Sequence, residues 1–156
     1  MAITAGQAAP LFTLFSSDKK EVSLSDYKGK NVLLLFYPMA FTRVCTAELC
    51  NVRDNIGMYS NVHAEVFGIS VDSVYTLAKY KEEQGYNFTL LSDFNKEVTM
   101  AYDVLHENFA FGMKGVSKRA SFVIDKDGIV AYAEVADSLS DMPNFEAINE
   151  ALNKLV

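Results

Sequence analysis

Two cysteines, Cys45 and Cys50, are the side chains in this sequence best suited to covalent chemistry. The thiolate is the nucleophilic form of cysteine, and a free thiol with a pKa of about 8.5 is mostly protonated at neutral pH. A reactive cysteine therefore needs a setting that favours the anion. Cys45 closes the spacing Pro38-x-x-x-Thr42-x-x-Cys45, just after the apolar run Asn31–Tyr37. From Cys45 onward, apolar residues recur at Leu49, Val52, Ile56 and Tyr59. At about 100° per residue these five fall within about 80° of one another, which predicts a helix starting near Thr42 with one core-facing stripe. Cys45 then lies in the first helical turn, where unpaired amides and the macrodipole favour an anion. The Thr42 hydroxyl, three residues earlier, can donate to the sulfur or to a bound oxygen. Pro38 has no N–H and offers a stiff wall that limits solvent without competing for hydrogen bonds. An inert core cysteine is the alternative reading of Cys45.

Other chemistries find little support. There is no C-x-x-C pair, and the two histidines, His63 and His106, are not spaced with the cysteines. A zinc site therefore has almost nothing to build on, and neither does a Cys-His protease. No metal and no cofactor are expected. Two cysteines five positions apart do not make a secreted disulfide framework. The formal charge of -6 and the lack of any Lys/Arg run oppose binding to nucleic acid. The longest apolar run, Val32–Tyr37, falls well short of the about 20 residues of a bilayer span. Residues 1–10 lack the basic and apolar regions of a secretion signal, so a cytoplasmic location is expected.

The elements that must hold Cys45 follow from hydropathy patterning. Asn31–Tyr37 and Glu65–Val71 read as strands buried on both faces. Asp72 or Ser73 can cap a helix reaching about Gln84, with Gly85 as its stop. Phe88–Leu91 reads as a short strand and Asn95–Tyr102 as a short helix. Ala120–Ile124 and Ile129–Ala133 flank Asp125-Lys-Asp-Gly128, a hairpin signal. A last helix runs from Pro143 to about Leu155. Half of the residues are hydrophobic, and no repeat or linker interrupts the chain, so residues 1–156 are expected to form a single domain. The alternation of β and α elements predicts an α/β fold with a central mixed sheet and helices on both faces. A thioredoxin-like fold fits this pattern, as does a flavodoxin-like sheet.

The segment Phe36-Tyr-Pro-Met-Ala-Phe-Thr-Arg-Val-Cys45-Thr-Ala-Glu-Leu-Cys50 resembles the active-site loop of the peroxiredoxins. The likeness extends from Ala9-Pro10 through Lys28-Gly29-Lys30 to Asp125-Lys-Asp-Gly128 and selects the thioredoxin-like fold. It implies a thiol-dependent peroxidase whose Cys45 reduces hydrogen peroxide or organic hydroperoxides and becomes a sulfenic acid. By the same resemblance Arg119 is the active-site arginine and Glu48 a supporting residue that orients it. Arg53 is a candidate for the same network. Lys118 reads as surface. Arg43 stands where the family often has a small residue or proline, and Leu11 replaces the common aspartate of the Ala-Pro-Asp-Phe opening. Phe41, Phe109 and Phe111 either line a pocket for organic hydroperoxides or simply pack.

Cys50 resembles the resolving cysteine of the Q-type, bacterioferritin-comigratory members, which lies in the same helix as the attacking one. Five helical residues hold two Cα atoms about 8 to 9 Å apart and their side chains about 140° apart, whereas a disulfide needs Cα atoms within about 7 Å. A Cys45–Cys50 bond thus requires the start of the helix to unwind. The alternatives are a one-cysteine peroxidase of the E-type, restored by an external thiol, and a redox-sensing module without turnover. The resemblance implies a thioredoxin-like or low-molecular-weight thiol as reductant and leaves open a homodimer.

Overall fold

The computed structural model describes residues 3–156. Its strands are β1 (Thr13–Ser16), β2 (Glu21–Ser23), β3 (Asn31–Phe36), β4 (Ala64–Ser70), β5 (Thr89–Ser92), β6 (Leu105–Asn108), β7 (Lys114–Ser117), β8 (Ala120–Ile124) and β9 (Val130–Val135). Its α-helices are α1 (Arg43–Asp54), α2 (Ile56–Asn61), α3 (Val74–Gln84), α4 (Glu97–Ala101) and α5 (Phe145–Asn153). Seven strands form one sheet in the order β2-β1-β5-β4-β3-β8-β9, and β6 and β7 form a separate hairpin.

β3 is central, and all six of its residues are buried. It pairs parallel with β4 and antiparallel with β8. This antiparallel neighbour excludes the flavodoxin-like alternative and gives the mixed sheet. Alternation along β3 divides the core in two. Leu33 and Leu35 pack with Leu49 and Val52 of α1, Leu77 and Tyr80 of α3, and Ile148 and Leu152 of α5. Val32, Leu34 and Phe36 pack on the opposite face with Leu24, Val98 of α4 and Tyr102.

Local signals in the sequence set most boundaries. Ser73 caps α3, its hydroxyl accepting from the Thr76 amide, and Gly85 ends it in the left-handed region at φ +65°. Asp125 Oδ1 accepts from the amides of Asp127 and Ile129 and shapes the β8–β9 hairpin. The predicted long helix through Tyr59 is instead two helices. Asn55 leaves helical geometry at φ -119°, and its side-chain amide donates back to the Asn51 carbonyl. Tyr59 nevertheless stays buried, so the apolar stripe survives the break. Gly68 of β4 faces Leu49 of α1. A Cβ there would come 2.9 Å from Leu90 Cδ2 and 3.3 Å from Tyr37 Cε1.

Candidate active site

The loop between β3 and α1 carries the cysteine. Pro38 follows β3 and is buried. The Ala40 amide donates to Asp72 Oδ2 at 2.8 Å, tying the loop to the end of β4. Ser70 Oγ donates to the same carboxylate oxygen at 2.7 Å. Burial raises the Asp72 pKa above its ordinary value, and these two donors counter that rise. Phe41 adopts φ +67°, an unfavourable region for a non-glycine residue. Its ring packs 4.8 Å from that of Tyr80, a contact that helps hold the turn.

Thr42 is the N-cap of α1, and Cys45 is its third helical residue. The first intrahelical bond runs from the Thr46 amide to the Thr42 carbonyl. The amides of Arg43, Val44 and Cys45 therefore stand outside the helical ladder. Thr42 Oγ1 donates to the Met39 carbonyl at 2.7 Å. With that proton on the loop backbone, the hydroxyl oxygen keeps lone pairs that can accept.

Arg119, between β7 and β8, reaches under this helix. Its Nη1 donates to Cys45 Sγ at 3.4 Å and to Glu48 Oε1 at 2.6 Å, and its Nη2 donates to the Leu139 carbonyl at 2.7 Å. Cys45, Glu48 and Arg119 are 1%, 0% and 2% exposed. Burial drives the Glu48 pKa up to about 7, against the opposing pull of the Arg119 charge and hydrogen bond, with Glu134 adding a smaller upward push. A guanidinium and a helix N-terminus thus converge on one sulfur, where negative charge is stabilised.

Cys50 lies elsewhere on α1. Its Sγ is 3.7 Å from Gln84 Oε1 and 3.8 Å from Tyr86 Oη. Both cysteines are free, and α1 is continuous across them. Arg53 donates to the Gln84 carbonyl at 2.6 Å and pairs with Asp54, so it belongs to the surroundings of Cys50 and not to the Arg119 cluster. Arg43 is exposed and Lys118 is half-buried. Phe111 is almost wholly exposed. Among the described residues no cluster of His, Cys, Asp or Glu could hold a metal, and no helix is long and apolar enough to cross a membrane.

Sequence reasoning missed Asp72 as the residue that pins the loop, reading it only as a helix cap. It also missed the Gln84–Tyr86 surroundings of Cys50. A buried-loop amide after Pro38 needs a partner, and the acid at the end of the neighbouring parallel strand was the available signal. Nothing local in the sequence joins Cys50 to Tyr86.

The AhpC/TSA family profile matches residues 5–133. The peroxiredoxin Bcp of Escherichia coli is 38% identical over 132 residues, covering 83% of this chain and 84% of the relative. Alkyl hydroperoxide reductase E of Mycobacterium tuberculosis is 38% identical over 136 residues, covering 85% and 86%. The crystal structure of peroxidoxin BcpB from Mycobacterium tuberculosis superposes with a TM-score of 0.87 at 29% identity, over 99% of each chain. The thioredoxin-like expectation holds, and the chain belongs to the AhpC/TSA family of thiol-dependent peroxidases, the peroxiredoxins.

Proposed function

We propose that Cys45 is the sulfur with which this peroxiredoxin attacks its hydroperoxide. The observation that carries the reading is the buried Arg119 Nη1, 3.4 Å from Cys45 Sγ at the N-terminus of α1. The thiolate forms a bond to the distal oxygen of ROOH, the O–O bond breaks, and RO⁻ leaves and is protonated. Arg119 and the free amides of the first turn stabilise charge on the sulfur and on the departing oxygen. Thr42 Oγ1 accepts from the peroxide hydroxyl and orients it. Pro38 keeps water from the loop. Glu48 fixes the guanidinium. Hydrogen peroxide and organic hydroperoxides are the substrates. The likeness to an alkyl hydroperoxide reductase over most of the chain supports the organic class. Cys45→Ser tests the assignment, because a hydroxyl is not appreciably ionised at neutral pH. Peroxidase activity should vanish in this variant, and retention of more than a trace would overturn the reading.

The Cys45 sulfenic acid is resolved by Cys50 after the start of α1 unwinds, and a thioredoxin-like or low-molecular-weight thiol then reduces the disulfide. One observation favours a second reading, direct reduction by an external thiol. Glu48 and Leu49, which lie between the two cysteines, are both 0% exposed, so unwinding must pull them from the core. Residues 1–156 act as a single domain, with a homodimer as the assembly. A reducing cytoplasm suits an enzyme that needs free thiols to turn over.

A further inference from the structure

A single buried cation faces two groups that can each carry a negative charge. Arg119 Nη1 donates to Cys45 Sγ and to Glu48 Oε1, and its Nη2 goes to a neutral carbonyl. All three side chains are almost wholly excluded from water. Two anions against one guanidinium would leave one buried charge uncompensated, which is costly. Glu48 Oε2 has no hydrogen-bond partner among the described residues. An ionised carboxylate there leaves a charged oxygen without a donor, whereas a neutral carboxyl leaves only an unpaired O–H, a smaller cost. The other groups that face Glu48 add no positive charge. Tyr59 of α2 is held neutral, its pKa pushed up to about 12 chiefly by burial, and Glu134 of β9 contributes like charge. Burial and Glu134 together outweigh Arg119 and lift Glu48 to about 7, so it can titrate near neutral pH.

We propose that Glu48 exchanges charge with Cys45 across Arg119 in each turnover, being protonated while Cys45 is a thiolate and ionised once Cys45 is a sulfenic acid. The step balances. Cys45 thiolate and ROOH give Cys45 sulfenic acid and RO⁻, and the proton that RO⁻ takes up to become ROH equals the one Glu48 gives up. Arg119 keeps one anionic partner throughout, first sulfur and then carboxylate. Glu48 acts through Arg119, so it is a positioning residue that also stores a proton. The inference rests on Cys45 being the attacking sulfur.

Infrared difference spectra of the full chain, taken before and after one equivalent of hydrogen peroxide near pH 7, read the exchange directly. One protonated-carboxyl C=O band should disappear per oxidised Cys45, carboxylate bands should grow, and Glu48→Gln should lack both changes. Stopped-flow proton uptake with an indicator dye supplies a second measure, at a pH where ultraviolet absorbance shows Cys45 ionised. The parent should take up almost no net proton near neutrality, rising to one as the pH climbs past the Glu48 titration. Glu48→Gln should take up one throughout, and Glu48→Asp should restore a carboxyl signal. A parent that oxidises Cys45 with no carboxyl loss, or an unchanged band in Glu48→Gln, would overturn the exchange. If Glu48→Gln does not fold, the band and the pH profile of uptake in the parent decide alone. A sulfenic-acid trap on a parallel sample separates the two claims. Cys45 found neither trapped nor in a disulfide refutes Cys45 as the attacking sulfur, whereas oxidised Cys45 without the carboxyl change refutes only the exchange.

Discussion

Oxidation with one equivalent of hydrogen peroxide, in the absence of other thiols, should change the secondary structure of α1. Cys45 and Cys50 share one uninterrupted helix. A rise of about 1.5 Å per residue and a radius of about 2.3 Å put their Cα atoms about 8.7 Å apart, beyond the about 7 Å that a disulfide permits. The bond therefore forms only if residues 43–50 leave the helix, which removes roughly a fifth of the α-helical residues. The change is opposed by several interactions. Exposing Leu49, fully buried on the inner face of α1, loses about 1.5–3 kcal/mol. Separating Glu48 from Arg119 adds about 3–5 kcal/mol where Glu48 is charged, and less where it is protonated. The unwound form should thus be seen only after oxidation, and, since oxidation of Cys45 leaves Glu48 ionised near pH 7, it should form more readily once the pH falls far enough to protonate Glu48 again. Far-ultraviolet circular dichroism should lose about a fifth of its helix signal, and amide exchange should accelerate across residues 42–50. Cys50→Ser should keep the helix after the same oxidant. If the parent forms the intramolecular disulfide with no loss of helix signal or protection, the geometric argument is wrong.

Three further outcomes follow from the same contacts. Arg119→Ala should slow peroxide attack and also weaken the fold, by about 3–5 kcal/mol at pH 8 and by less below pH 7; equal losses at both, measured by denaturant titration, would contradict the Glu48 pairing. Because the folded chain holds the Glu48 proton from its ordinary 4.5 up to about 7, stability should fall as pH rises through that window, by at most about 3 kcal/mol; Glu48→Gln should flatten the curve. Gly68→Ala should destabilise by about 1–3 kcal/mol, since its Cβ meets the buried Leu90 and Tyr37 side chains; an unchanged denaturation midpoint would show that the sheet can give way.

The parts legible in the sequence were those with dense local signals. β3 is an apolar run closed by Pro38, α1 has its stripe, and β8 and β9 flank a turn ending in glycine. β1 and β2 escaped notice because they are four and three residues long, only partly buried, and held by pairing of β1 with the distant β5. β6 and β7 form a hairpin outside the main sheet, with polar residues on both strands and a five-residue connection containing Phe111 at φ +59°. At the site, Arg119 came from resemblance, and its contact with Cys45 spans 74 positions that no periodicity links. The burial of Glu48 was half legible. It lies three residues after Cys45, about 60° around the helix from it, at the edge of the apolar stripe. Its role became clear only when Arg119 was seen to lie between it and the sulfur. The Met39 carbonyl, in a loop bent by the left-handed Phe41, takes the Thr42 proton, a contact that nothing in the sequence signals.

Tandem mass spectrometry of the reduced protein, mixed with one equivalent of hydrogen peroxide and quenched with a sulfenic-acid trap, tests the central claim most directly. The first oxygen should appear on Cys45, trapped as its sulfenic acid in Cys50→Ser and passing to a Cys45–Cys50 disulfide in the parent, or to a mixed disulfide when an external thiol is added. Peroxide consumed at full rate with Cys45 unmodified, or with Cys50 oxidised first, would contradict it.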